Sequence, residues 1–235
     1  MYKKSAHFRN TSPAFTRLEL LACVAAFALL LAVITPALAT SRSRSDRVAC
    51  FNNLRHLGNA FRHFALENYD YPAWSVFAPA GNFNEPPKHE LWFQYWWLRD
   101  SIGSPKYLVD PGETRSNARI ARTWNLEPDG GLQALQNSAV SYILGLDSAT
   151  FLPRTIIVAD RHMLHNGYGG CSSQINTAAR LSESTVRWTT EVHGDFGNLA
   201  LADGSVESVD SQGLRRAVSE VRDLGTDVHV LMPNW

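Results

Sequence analysis

From residue 20 to residue 39 the chain reads LLACVAAFALLLAVITPALA, twenty positions without a charge. As a helix, that length spans about 30 Å, the thickness of a bilayer's hydrocarbon core. The run is apolar on every face, whereas a helix at the surface of a globular domain keeps a polar face. The pattern then changes. Between residues 46 and 66, apolar side chains recur at Val48, Phe51, Leu54, Leu57, Phe61 and Phe64, three or four apart, with Arg47, Asn53, Arg55, Asn59 and Arg62 largely between them. This spacing predicts an amphipathic helix with one face to cover. Asn68-Tyr69-Asp70-Tyr71-Pro72 ends it with turn formers and a proline. The Ser/Arg stretch at 40–45 is either a continuation of the helix or a break. Pro36 removes a backbone donor and predicts a kink or local loosening.

Residues 73–139 are predicted to be irregular, because Pro79, Pro86, Pro87, Pro105 and Pro111 interrupt any long element. Trp92, Phe93, Tyr95, Trp96 and Trp97 form an aromatic cluster, read as packing under loops in preference to a binding surface. Residues 139–144, 155–159 and 198–202 read as strands. Asp203-Gly204 then leads into 205–209, a hairpin signal. A short helix is predicted over 213–224, with Leu214, Val218 and Val221 on one face. The fold class is therefore α+β: a long N-terminal transmembrane and amphipathic helix packed on a C-terminal antiparallel sheet. The predicted organisation is a leader at 1–14, a transmembrane helix at 15–40, its amphipathic continuation at 41–72 and a globular domain at 73–235.

Charge adds an asymmetry. The chain of 235 residues carries 22 basic and 22 acidic side chains. Residues 1–14 hold Lys3, Lys4 and Arg9 and no acid, so removing them leaves 19 basic against 22 acidic residues. Nothing in this balance points to nucleic acid. Arg42, Arg44 and Arg47 follow the apolar run, so both of its ends are basic and the positive-inside rule does not choose an orientation. Of Cys23, Cys50 and Cys171, the last two are free to pair in an exported protein or to stay as thiols.

An apolar run behind a basic start is an uncleaved anchor, a signal peptide or a processed anchor. Ala37-Leu38-Ala39 has the A-x-A form of a signal-peptide cleavage site. Arg17 and Glu19 sit where the run begins, and a carboxylate there is costly without a purpose. The segment Ala14-Phe15-Thr16-Arg17-Leu18-Glu19 resembles the processing site of type IV prepilins and type II secretion pseudopilins. In that family a basic leader ends in Gly, followed by Phe, usually Thr, and Glu as the fifth mature residue. Ala14 stands in place of the Gly, and Arg17 in place of an apolar residue. The resemblance implies cleavage by a prepilin peptidase between Ala14 and Phe15 and methylation of the new Phe15 amine. It also implies an ion pair in a filament, between that amine and the Glu19 carboxylate of a neighbouring subunit. A proline at the depth of Pro36 fits the same family.

Cys50-Phe51-Asn52-Asn53-Leu54-Arg55-His56-Leu57-Gly58 resembles the C-x-x-N-L-K-x-L-G stretch of one pseudopilin-like group. His193, Asn198 and Asp203-Gly204 resemble the C-terminal motif of the H-X9-DG prepilin-type group, with Ser205 where His is usual. The stretch 153–160 resembles that group's preceding strand, and Val109-Asp110-Pro111 sits where the group often has Cys-Pro. The motif is read first as structural: Asp203-Gly204 turns the hairpin, and His193 and Asn198 satisfy backbone groups near it. The competing reading is a metal site using His193, Asp203 and Asp160, with His162 or His165 nearby. Oxygen donors there suit calcium, and a His-rich set suits a transition metal. No cofactor is required by the first reading.

The expected function is that of a structural subunit, not an enzyme: a pseudopilin or minor pilin of a type II secretion or type IV pilus-like filament. Its partners would be other pilin or pseudopilin subunits and the prepilin peptidase. It would cross the inner membrane once, with the globular domain in the periplasm or on the cell surface. The alternative is an exported enzyme or binding protein with a weak His/Asp metal site. No nucleophile elbow, phosphate loop or zinc helix motif is present.

Overall fold

The structure is a computed structural model that describes residues 16–70, 73, 90–125, 130–149, 151–165, 178–225 and 228–233. Helix α1 covers Arg17–Glu67 and includes both Pro36 and the Ser/Arg stretch. The chain divides into two units, Met1–Arg42 and Ser43–Trp235. In the first, the segment Arg17–Thr35 is long and apolar enough to cross a membrane, and none of it is buried. Leu18, Leu21, Leu29 and Val33 are among its exposed side chains.

In the second unit, α1 turns a stripe inward: Cys50, Leu54, Leu57, Phe61 and Ala65 are buried. The stripe has the expected spacing but is rotated by about one position. Val48 is exposed and Phe51 half-buried, while the small Cys50 lies fully inside. A Cβ placed on Gly58 would lie only 3.0 Å from the Ala200 Cβ, so helix and sheet approach closely there.

Among the described residues, eight strands are assigned: β1 Tyr142–Gly145, β2 Ile156–Asp160, β3 Met163–Leu164, β4 Ala178–Leu181, β5 Arg187–Trp188, β6 Phe196–Leu201, β7 Val206–Asp210 and β8 Val228–Leu231. Six form one sheet in the order β4-β8-β1-β2-β6-β7, and β3 pairs with β5 in a small ribbon. All these pairings are antiparallel. The protein is thus α+β, with an apolar N-terminal helix and a C-terminal antiparallel sheet.

Alternation along the strands splits the core in two. Tyr142, Leu144, Val158, Ala200 and Ala202 face one cluster, with Cys50, Leu54, Leu57 and Phe61 of α1. Helix α2, Leu91–Trp97, adds Leu91, Trp92 and Tyr95 to the same cluster. Ile143, Ala159, Leu199 and Leu201 face the other cluster, with Leu214, Ala217, Val218 and Val221 of helix α3, Ser211–Asp223. The sheet is therefore covered on both faces. Of the aromatic stretch, Trp92 and Tyr95 are buried, Phe93 stacks on Trp96, and Trp97 reaches the surface.

The hairpin lies between β6 and β7, in the register Ala200↔Val206. Its connection is longer than a two-residue turn. Leu201 N–H donates to Ser205 O, and Gly204 N–H donates to Leu201 O. Gly204 alone takes the positive φ, +89°, as a three-residue loop with a terminal left-handed residue requires.

Candidate functional site

The residues singled out by sequence fall in three places: the start of α1, a buried cluster and the β6–β7 hairpin loop. The first is the start of α1. Ala14 and Phe15 lie outside the described residues. Thr16 N–H and Thr16 Oγ1 both donate to Glu19 Oε2, at 2.8 and 3.0 Å, and Glu19 N–H donates back to Thr16 Oγ1 at 3.3 Å. This reciprocal pair is a capping box, which satisfies donors that the first helical turn leaves unpaired. Thr-x-x-Glu before an apolar run is a readable signature of it. Glu19 is exposed.

The second place is buried. Cys50, Asp110, Asp160 and His193 each present a donor atom, and these atoms lie within 4.8 Å of one another. The side chains arrive on four segments: Cys50 from α1, Asp110 just after the 3-10 turn Pro105–Leu108, Asp160 from the end of β2, and His193 from the loop before β6. Cys50 is completely buried, and Asp160 is 1% exposed.

Cys50 Sγ donates to Asp160 Oδ1 at 2.9 Å, and His193 Nε2 lies 2.8 Å from Asp110 Oδ2. The remaining carboxylate oxygens are held by backbone. Gly112 N–H donates to Asp110 Oδ1 at 2.7 Å, and Asn198 N–H donates to Asp160 Oδ2 at 2.7 Å. Asn198 Nδ2 also donates to Asp160 Oδ2 and lies 3.3 Å from Cys50 Sγ, while Ser208 Oγ donates to Asn198 Oδ1. Arg47, nearly one helical turn before Cys50, donates to the His193 carbonyl at 2.8 Å. Tyr142 Oη reaches Cys50 Sγ at 3.7 Å and accepts from Asn53 Nδ2. Gly197 sits against the Trp188 ring, where a Cβ would come within 2.6 Å of three ring carbons.

Burial sets the electrostatics. It pushes Asp160 up to about 7, and the neighbouring charge of Asp110 adds to the effect. It also pushes the Cys50 thiol well up, reinforced by Asp160 and Asp110. Burial works against the His193 cation, yet the hydrogen bond and charge of Asp110 outweigh it and raise His193.

The structure brings His193, Asp160 and Asn198 together. Asp203 is not in this cluster; its Oδ1 accepts from Ser205 N–H and Oγ in the hairpin loop, beside Gly204. His162 is buried and bonds the Phe196 carbonyl through Nε2 at 3.0 Å, with its ring 5.5 Å from that of His193. His165 is half-buried and outside the cluster. Cys50 carries a free thiol, and Cys171 lies outside the described residues. Cys50 and Asp110 are the members that spacing did not connect to the others. No protein-family model, curated protein or solved structure matches this chain.

Proposed function

We propose that this chain is a single-pass membrane subunit of a pilin-like filament, a pseudopilin or minor pilin, cut before Phe15 by a prepilin peptidase. One observation carries the reading. An apolar helical segment with no buried residue begins on a carboxylate, Glu19, and belongs to the same helix whose later half is buried on an antiparallel sheet. A filament core of bundled apolar helices, with sheet domains outside it, uses both halves. The function is mechanical, and no residue is assigned bond chemistry.

Glu19 then has two duties. In the isolated chain its carboxylate caps its own helix through Thr16. In the filament its charge pairs with the Phe15 amine of the next subunit. Glutamine separates the two, because it serves in a capping box but carries no charge. Glu19→Gln is expected to be processed and membrane-inserted normally and to lose filament assembly, read as sheared fibres or as secretion in the native host. Assembly at the wild-type level in Glu19→Gln overturns the reading.

A further inference from the structure

The buried cluster has more order than a hairpin support needs. Each carboxylate has one oxygen fixed by a backbone N–H, from Gly112 or Asn198, and turns the other toward a soft or nitrogen donor. Those facing partners are the Cys50 thiol and His193 Nε2. We propose that Cys50, Asp110, Asp160 and His193 form a four-coordinate site for a transition-metal dication of the zinc class, which braces α1 against the sheet.

The donor set selects the metal. One sulfur, one imidazole nitrogen and two carboxylate oxygens suit zinc-like ions, whose metal–ligand distances of roughly 2.0–2.3 Å place tetrahedral donors about 3–4 Å apart. Donors already within 4.8 Å of one another need only a small contraction. Calcium takes about six to eight oxygens, and neither sulfur nor imidazole serves it. Four protein donors leave no open position, which is the pattern of a structural site.

A dication would bind the thiolate, carboxylate and neutral imidazole forms of these four side chains, so its uptake releases protons. Outer contacts fix the ligands: Arg47 holds the His193 carbonyl, and Asn198 bridges Asp160 and Cys50. The site also has a way in, because a surface groove lined by Asn53, Tyr107, Pro111, Glu113 and Arg115 reaches Asp110. The site stands independently of the filament reading, since each of its ligands lies in the unit Ser43–Trp235.

The test uses the full chain, reduced, in detergent micelles. Zinc is expected to remain at one equivalent per chain after desalting. Cobalt(II) in its place is expected to give the strong d–d absorption of a four-coordinate ion and a thiolate-to-cobalt charge-transfer band. Cys50→Ser is expected to abolish the charge-transfer band, whereas Cys23→Ser and Asp203→Asn leave the spectrum unchanged. Asn198→Ala is expected to weaken metal binding about 10- to 100-fold. The wild-type spectrum decides even where a variant fails to fold. Wild-type protein that takes up no cobalt or zinc overturns the proposal. So does a charge-transfer band that survives Cys50→Ser, or thermal stabilisation by calcium and not by zinc.

Discussion

The two halves of α1 share a secondary structure and differ in what surrounds them. Along Arg17–Thr35 the apolar side chains point in every direction and none is buried. From Ser43 onward, polar residues return to most faces, and one stripe from Cys50 to Ala65 is enclosed. Helicity therefore says little about the role of either half. The distribution of apolar residues around the axis does: all-round coverage suits a lipid or a bundle of like helices, and a stripe suits a sheet. Interruptions in the second half, such as Arg55 and Arg62, fall off the stripe, so they do not disturb the core.

The contrast can be broken first on the stripe. Leu54→Ala removes a fully buried side chain between α1 and the sheet and is expected to cost roughly 2–5 kcal/mol, read by thermal or denaturant unfolding of the micelle-bound chain. A loss below about 1 kcal/mol would mean that α1 is not part of the core of this unit.

Acid is the next lever, and it acts on the sheet unit through Glu113. Burial by itself would raise the Glu113 carboxyl. The hydrogen bonds and charge of Arg161, with Ser141 and the Arg115 N–H, outweigh it and hold Glu113 at about 2, from an ordinary 4.5. A lowered folded-state value means stability that is complete above pH 4.5 and is lost as the pH falls through 2. The contribution is about 3 kcal/mol, because the side chain is almost fully enclosed beside Arg115 and Arg161. Glu113→Gln is expected to flatten the pH dependence of unfolding in that window while membrane retention stays unchanged.

Smaller effects sharpen the comparison. Asp210 caps α3 by accepting from Gly213 N–H at 2.7 Å, so Asp210→Ala is expected to cost about 1 kcal/mol, measured as a drop in unfolding temperature. The smallest effect on stability belongs to the apolar half. Leu29→Ser is expected to shift the unfolding of the sheet unit by less than about 0.5 kcal/mol, since its side chain is exposed. The same change weakens partitioning into membranes, which flotation with vesicles reads directly.

Sequence made some of this legible and hid the rest for physical reasons. The apolar run, the amphipathic stretch, the hairpin at Asp203-Gly204 and helix α3 are local patterns, and each was visible as a period or a turn signal. Helix α2 was not, because LWFQYWW is nearly all apolar and has no period to read. Strands β3 and β5 have two residues each, too short for a pattern, and β4 and β8 are buried along most of their length, so no alternation stands out. The cluster was half legible. Motif resemblance singled out His193 and Asp160, but Cys50 lies 110 residues from Asp160 and Asp110 lies 83 from His193. No local spacing joins such residues; the sheet register and the rotation of α1 do. That rotation also explains why Cys50, not Phe51, is the residue turned fully inward.

The central claim is that the apolar half of α1 is retained, and begins at Phe15, in the working protein. Intact mass and N-terminal sequencing of the chain from membranes of its native host test this directly. The account predicts a mature chain starting at Phe15 with a methylated amine. A chain starting at Thr40 would contradict it, since the apolar segment would then be a discarded signal peptide cut after Ala39.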